Sequence, residues 1–158
     1  MKLSSMEEYG LRCLLQLARA GGGASLTIAE LGSREGISVP NVAKIMRILR
    51  RAQLVRSTRG KAGGYSLTRL PAEVRALDVI AALGGRLFDT GFCDRHAGVS
   101  RHCLNTRDCS IRPVLRGLQQ AVDQVLGELT LASLLGTEGE VTVTLRPRAV
   151  KLPVLPRL

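Results

Sequence analysis

The chain has no tryptophan, and aromatic residues make up only 3% of its 158 residues. Single-strand nucleic-acid binding by base stacking needs aromatic platforms and is poorly supported. No apolar run approaches the length that spans a bilayer, and the N-terminus has no signal-peptide core, so a cytoplasmic protein with no membrane partner is expected. No nucleophile stands with a base in a recognisable motif, which argues against an enzyme. The most informative lack is of acid. Between Glu35 and Glu73 there is no Asp or Glu, yet there are eight basic residues: Lys44, Arg47, Arg50, Arg51, Arg56, Arg59, Lys61 and Arg69. A polyanion is the economical partner for such a stretch.

This basicity is local. Of the 23 basic and 13 acidic residues, 12 and 4 fall in residues 1–69, and the rest of the chain is close to balanced. The charge therefore belongs to an N-terminal module.

Residues 27–67 carry the organisation. Thr27 and Glu30 have the spacing of a capping box that starts a short helix, and Gly36 is placed to end it. Ser38 caps a second helix with Pro40 in its first turn, where a missing N–H does no harm. Val42, Ile45, Met46 and Leu49 form its apolar stripe, with Asn41, Lys44, Arg47, Arg50 and Arg51 on the other side. Two short strands follow, Leu54–Ser57 and Tyr65–Thr68, around a glycine-rich tip at Arg59–Gly64. Helix, turn, helix and basic hairpin make a winged-helix pattern: the second helix enters a major groove and the wing lies on the backbone or minor groove. The Gly-Lys-Ala-Gly-Gly run lacks the spacing and the following helix of a phosphate-binding loop.

Ahead of this module, residues 4–20 read as a helix, with Ser5 and Glu8 as a capping box and Tyr9, Cys13, Leu14, Leu17 and Ala18 as its buried face. After it, residues 73–83 read as a helix with Leu77, Ile80 and Leu83 on one face. Residues 86–110 have little periodicity. Residues 111 to about 127 read as a helix with Val114, Leu118, Ala121, Val122 and Val125 as a stripe. That stripe needs a partner, so a dimer built on the same helix of a second chain is expected. Thr130 caps a last short helix at Leu131–Leu135. Glu140–Leu145 alternates like a strand, and the end of the chain reads as a tail.

Of the four cysteines, Cys13 falls on a buried stripe and reads as a core residue. Cys93, Cys103 and Cys109 lie in the irregular segment, where three soft thiolate donors beside a DNA-binding module point to one metal centre. Either an iron–sulfur cluster or zinc is compatible, with Cys93 and His96 at a knuckle-like spacing. Bare thiols forming a disulfide switch are a third possibility, and a scaffold or electron carrier a fourth.

The chain resembles the family of bacterial winged-helix iron–sulfur transcription regulators that includes IscR and NsrR. The matching residues are Ile28-Ala29-Glu30, Gly36-Ile37-Ser38, Leu54-Val55, Ser57, Arg59-Gly60 and Gly63-Gly64-Tyr65-Ser66-Leu67, continuing at Leu77–Ile80 and Thr130–Ala132. The resemblance implies a homodimer with a three-cysteine cluster loop, and cluster-controlled repression or activation in response to nitric oxide, redox state or iron–sulfur supply. Its two-iron relatives place a fourth-ligand histidine three residues after the last cysteine, where Arg112 stands here. Its nitric-oxide-sensing relatives take an acidic ligand from the partner's first helix, where Glu8 stands.

The sequence thus predicts a mainly α fold with a small β-wing. Residues 1–69 form the winged helix-turn-helix domain, 70–135 the dimerisation helices with the cluster loop at 86–110, and 136–158 the tail. The expected partner is double-stranded DNA with a pseudo-palindromic operator, contacted by Ser38, Asn41, Lys44, Arg47, Arg51, Arg59, Gly60 and Lys61. The expected cofactor is a [2Fe-2S] or [4Fe-4S] cluster on Cys93, Cys103 and Cys109, with Glu8 of the partner, His102 or His96 as fourth ligand and zinc as the alternative metal.

Overall fold

The computed structural model describes residues 4–144 except 22, 61, 62, 98, 100–102 and 106. The expected contacts Lys61 and His102, and the tail from residue 145, lie outside the described residues. The helices are α1 (Ser5–Ala20), α2 (Ile28–Glu35), α3 (Val39–Arg51), α4 (Ala76–Gly84), α5 (Phe92–Arg95), α6 (Ile111–Glu128) and α7 (Glu138–Thr144). Strands β1 (Val55–Thr58) and β2 (Gly64–Leu67) pair antiparallel between α3 and α4, so the fold is mainly helical with one small wing.

One core holds the elements together. Cys13, Leu14 and Leu17 of α1 meet Leu31 of α2 and Val42, Ile45, Met46 and Leu49 of α3. Leu26, Ile37, Leu54, Val55, Val74, Val79 and Leu131 complete it. Burying one such Leu, Ile or Met is worth about 2 kcal/mol relative to leaving it exposed. The α3 stripe therefore fixes which way this helix turns, and its opposite face is left to solvent.

α2 starts as expected. The Thr27 N–H donates to Glu30 Oε2 at 2.7 Å, and the Glu30 N–H donates back to Thr27 Oγ1 at 3.2 Å. Gly36 closes the helix with φ 66°, a conformation that glycine adopts without strain. α3 ends on a residue without that freedom. Gln53 has φ 58°, while the Leu54 N–H reaches the Leu49 carbonyl and the Gln53 N–H reaches that of Arg50. That is a Schellman cap with a left-handed glutamine.

Several expectations are corrected. The capping box of α1 is Ser4 with Glu7, not Ser5 with Glu8. The Ser4 N–H donates to Glu7 Oε2 at 2.6 Å and its hydroxyl donates to the same oxygen. Ser38 holds the N-cap of α3 by its backbone, and its hydroxyl makes no capping bond. The strands lie one residue away from their expected limits. A 3-10 turn (Pro71–Glu73) precedes α4, whose fully buried residues are Ala76 and Val79, while Leu77, Ile80 and Leu83 are half-buried. The turn after Thr130 is 3-10 over Ala132–Leu134.

The strand expected at Glu140–Leu145 is helical up to Thr144, with Leu145 outside the described residues. The Thr137 N–H donates to Glu140 Oε2 at 2.7 Å and the Glu140 N–H donates to Thr137 Oγ1 at 3.4 Å. This box satisfies first-turn donors locally, and alternation alone offered no second strand to pair with.

The end of α6 returns to the start of α4. The Ala76 N–H bonds the Leu129 carbonyl at 2.8 Å and the Leu131 N–H bonds the Val74 carbonyl at 2.9 Å. The segment that carries the cysteines thus leaves from α4 and comes back, through α6, to its root.

Candidate nucleic-acid interface and cysteine centre

Ser38, Asn41, Lys44, Arg47, Arg50 and Arg51 are all exposed along one side of α3. Lys44, Arg47 and Arg51 have no ion-pair partner among the described residues, so their charge is free to meet a polyanion. Arg50 is used differently: its Nη1 donates to Ser57 Oγ of β1 at 3.2 Å and braces the helix against the wing. In the wing, Arg56 crosses to Ser66 Oγ at 3.1 Å, in register with the Arg56–Ser66 strand pair.

Arg59 and Gly60 sit exposed at the tip. A Cβ on Gly63 would lie 2.7 Å from the carbonyl oxygens of Thr58 and Gly60, so the tight tip requires glycine there. The wing is also clipped to the α1–α2 connection. Leu26 and Tyr65 exchange backbone bonds, the Leu26 N–H to the Tyr65 carbonyl at 2.9 Å and the Tyr65 N–H to the Leu26 carbonyl at 2.8 Å.

α1 is joined to the helix-turn-helix by polar bonds as well as by the core. Arg12 Nε donates to Glu35 Oε2 at 2.7 Å, Arg12 Nη2 donates to the Glu35 carbonyl at 2.6 Å, and Gln16 Nε2 donates to Glu35 Oε1. Burial alone would push the Glu35 carboxyl up. The bonds from Arg12 and Gln16, with the Arg12 charge, outweigh it and hold the carboxyl below its ordinary value. Glu8, relieved of any capping role, is exposed and lies 3.3 Å from Arg12 Nη1.

All four cysteines are free thiols. Cys13 is fully buried, as expected of a core residue, and desolvation pushes its thiol up to about 11. Cys93, Cys103 and Cys109 are half-buried. Cys93 lies on α5, a helical turn inside the segment expected to be irregular, and Cys109 immediately precedes the cap of α6. Cys93 also lines an open groove of about 740 Å³ between this segment and α6, together with Arg86, Arg112 and Arg116.

His96 closes α5, its ring stacked on Phe92 at 4.2 Å. Its Nδ1 is 2.8 Å from the Phe92 carbonyl, which only accepts, so Nδ1 carries the proton and Nε2 holds the lone pair of the neutral ring. Among the described residues, no three His, Cys, Asp or Glu side chains are gathered closely enough to hold a metal ion. Three free, half-buried thiols suit a soft metal or an iron–sulfur centre by donor chemistry. Gathering them requires the segment to draw together.

A polar clasp missed in the sequence fastens the segment to α6. Gln119 is 6% exposed. Its Oε1 accepts from the Phe88 N–H at 3.0 Å and its Nε2 donates to Asp123 Oδ1 at 2.7 Å, while Arg86 pairs with Asp123 Oδ2. The available signal was a glutamine four residues before an aspartate on an otherwise apolar helix face. The expected stripe itself is divided: Ala121 and Val122 are half-buried, whereas Val114, Leu118 and Val125 are exposed.

The sequence profile of Rrf2, described as iron-dependent transcriptional regulator, matches residues 3–137. The chain belongs to the Rrf2 family. It is 32% identical over 135 residues to Protein rrf2 of Nitratidesulfovibrio vulgaris, covering 85% of this chain and 87% of that one. It is similar to the solved structure of CymR, the global cysteine regulator of B. subtilis, with a TM-score of 0.68 and 27% identity over 85% of this chain and 96% of that one. It is also similar to IscR of T. potens, with a TM-score of 0.66 and 28% identity, covering 85% and 86% of the two chains. As an Rrf2 protein the chain is a winged helix-turn-helix transcriptional regulator, not an enzyme. No helix among the described residues is long and apolar enough to cross a membrane.

Proposed function

We propose that this Rrf2 protein is a cytoplasmic, dimeric DNA-binding regulator whose operator affinity is set by an iron–sulfur cluster on Cys93, Cys103 and Cys109. The observation that carries the reading is the set of three free, half-buried thiols in the segment between the DNA-reading module and α6. None of them is in a disulfide, and none belongs to the buried core.

Residues 1–69 read DNA. Asn41 and Lys44, near the N-terminus of α3, meet base edges, with Ser38, Arg47 and Arg51 on phosphates and Arg59, Gly60 and Lys61 holding the wing to the backbone or minor groove. Residues 70–135 dimerise through the exposed Val114, Leu118 and Val125 of α6, which a second copy covers. The operator is then a pseudo-palindrome with half-sites about one helical turn, or a multiple, apart.

When bound, a cluster supplies a centre that reacts with oxidants and nitric oxide. The chain's own part is mechanical. Cys93, Cys103 and Cys109 would hold the cluster, with Glu8 of the partner as the fourth donor in place of its exposed pair with Arg12. Releasing the thiols frees the segment and changes the spacing of the two α3 helices.

The test is the visible spectrum and the iron, sulfide and zinc content of protein purified without oxygen, followed by duplex retardation before and after exposure to air. Brown protein with iron and sulfide, and a change of DNA affinity on bleaching, is the expected result. Colourless protein with one zinc per chain would remove the cluster and leave the DNA-binding reading in place.

A second reading, bare thiols as the switch, draws on the separation of the three sulfurs as they stand and on the similarity to a cysteine regulator. It predicts metal-free protein that loses two hydrogens by mass on mild oxidation.

A further inference from the structure

Among its described residues the reading module buries or half-buries its large apolar side chains with one exception. Ile37, Val42, Ile45, Met46, Leu49 and Leu54 are all 6% exposed or less. Val39 is 53% exposed, and among the described residues of 1–69 it is the one large aliphatic side chain so open to solvent. It is the first residue of α3, and Pro40 beside it is exposed too. On either side stand Ser38 and Asn41, both exposed. The Ser38 hydroxyl is not spent on a helix cap. The first turn of the groove-entering helix thus presents a polar, apolar, apolar, polar surface.

The major groove offers one apolar group on a base edge, the C5 methyl of thymine. A valine is well matched to it, because its branched side chain is stiff at χ1 and gives up little freedom on contact. The following proline adds a fixed backbone. A cation or amide in this position would address phosphate or any acceptor, but an isopropyl group distinguishes only the presence of the methyl.

We propose that Val39, backed by Pro40, reads the 5-methyl group of a thymine in each half-site, beside the base pair addressed by Asn41. The proposal rests on α3 being the groove-entering helix.

The test uses the whole chain, purified without oxygen, to select duplexes from a random library. In the selected operator each thymine is then replaced in turn by uracil, which lacks only the methyl. The expected result is one symmetry-related pair of thymines at which uracil weakens binding by about fivefold, the scale of one buried methyl contact. Val39→Ala, at an exposed position and so with an unchanged melting temperature, should bind the thymine and uracil duplexes equally. Indifference of the natural protein to uracil at every position, or a uracil effect undiminished in Val39→Ala, would overturn the proposal while DNA reading by α3 stands. A selection that enriches no duplex would remove both.

Discussion

Arg12 of α1 and Glu35 at the end of α2 meet twice, once through the carboxylate at 2.7 Å and once through the Glu35 carbonyl at 2.6 Å. The first helix is thereby bolted to the helix-turn-helix by directional bonds as well as by apolar packing. The Glu35 carboxyl lies below its ordinary value, so its contribution to stability is fully present above the usual glutamate value of about 4.3. It is lost as pH falls through the lower folded value. Glu35→Gln should lower stability by about 1 kcal/mol at neutral pH. That difference from the natural protein should shrink steadily below about pH 4 in urea titrations at a series of pH values. A difference that stayed constant down to pH 2 would exclude the ion pair as its source.

Arg59 stands exposed at the wing tip with no ion-pair partner among the described residues. Arg59→Ala should weaken duplex binding by more than a few-fold and lower the slope of log affinity against log salt by about 1. The loss should be similar for all operators that bind, because a phosphate or width contact carries little sequence information. An unchanged affinity and slope would take the wing out of the interface.

Among the described residues the Glu8 carboxylate has one exposed pair, with Arg12, of a kind worth about 0.5 kcal/mol or less. On the proposed cluster reading, detaching it costs little, which favours Glu8 over His96 as the fourth ligand. Glu8→Ala should reduce iron content, or hasten bleaching in air, in protein purified without oxygen. His96→Ala should leave both unchanged, and the reverse pattern would move the assignment to His96 Nε2.

The left-handed Gln53 that closes α3 carries a steric penalty that glycine does not. Gln53→Gly should stabilise the fold by about 0.5–1 kcal/mol, since the Schellman bonds remain and only the Cβ clash is removed. Thermal unfolding would show it as a rise in midpoint. A fall would mean that unfolded-state entropy outweighs the strain.

The winged module was legible because its signals agree at every level. Thr27 with Glu30, Gly36, the Val42–Leu49 stripe and the glycine tip each dictate a local shape, and all of them point to one fold. Sequence and structure differ where a single cue stands alone. Ser5–Glu8 has the same spacing as Ser4–Glu7, and spacing alone does not say which serine is the N-cap. The alternation at Glu140–Leu145 was outweighed by the Thr137–Glu140 box three residues earlier. The Gln119 clasp and the Arg12–Glu35 bolt join residues 31 and 23 positions apart. Such partners become visible only when helices are packed. For the cysteine segment, residue type announced the chemistry, but spacing could not say where the sulfurs stand.

The Gln119 clasp also changes the chain statistics of that segment. Phe88 is bonded to Gln119 of α6 and Ser110 caps α6, so both ends of the cysteine segment are anchored on the same helix. Much of the closure entropy for bringing Cys93 towards Cys109 is therefore already spent in folding α6. On the switch reading proposed for these sulfurs, a small chemical event there would need to supply only the remainder, within reach of a weak or reversible ligand.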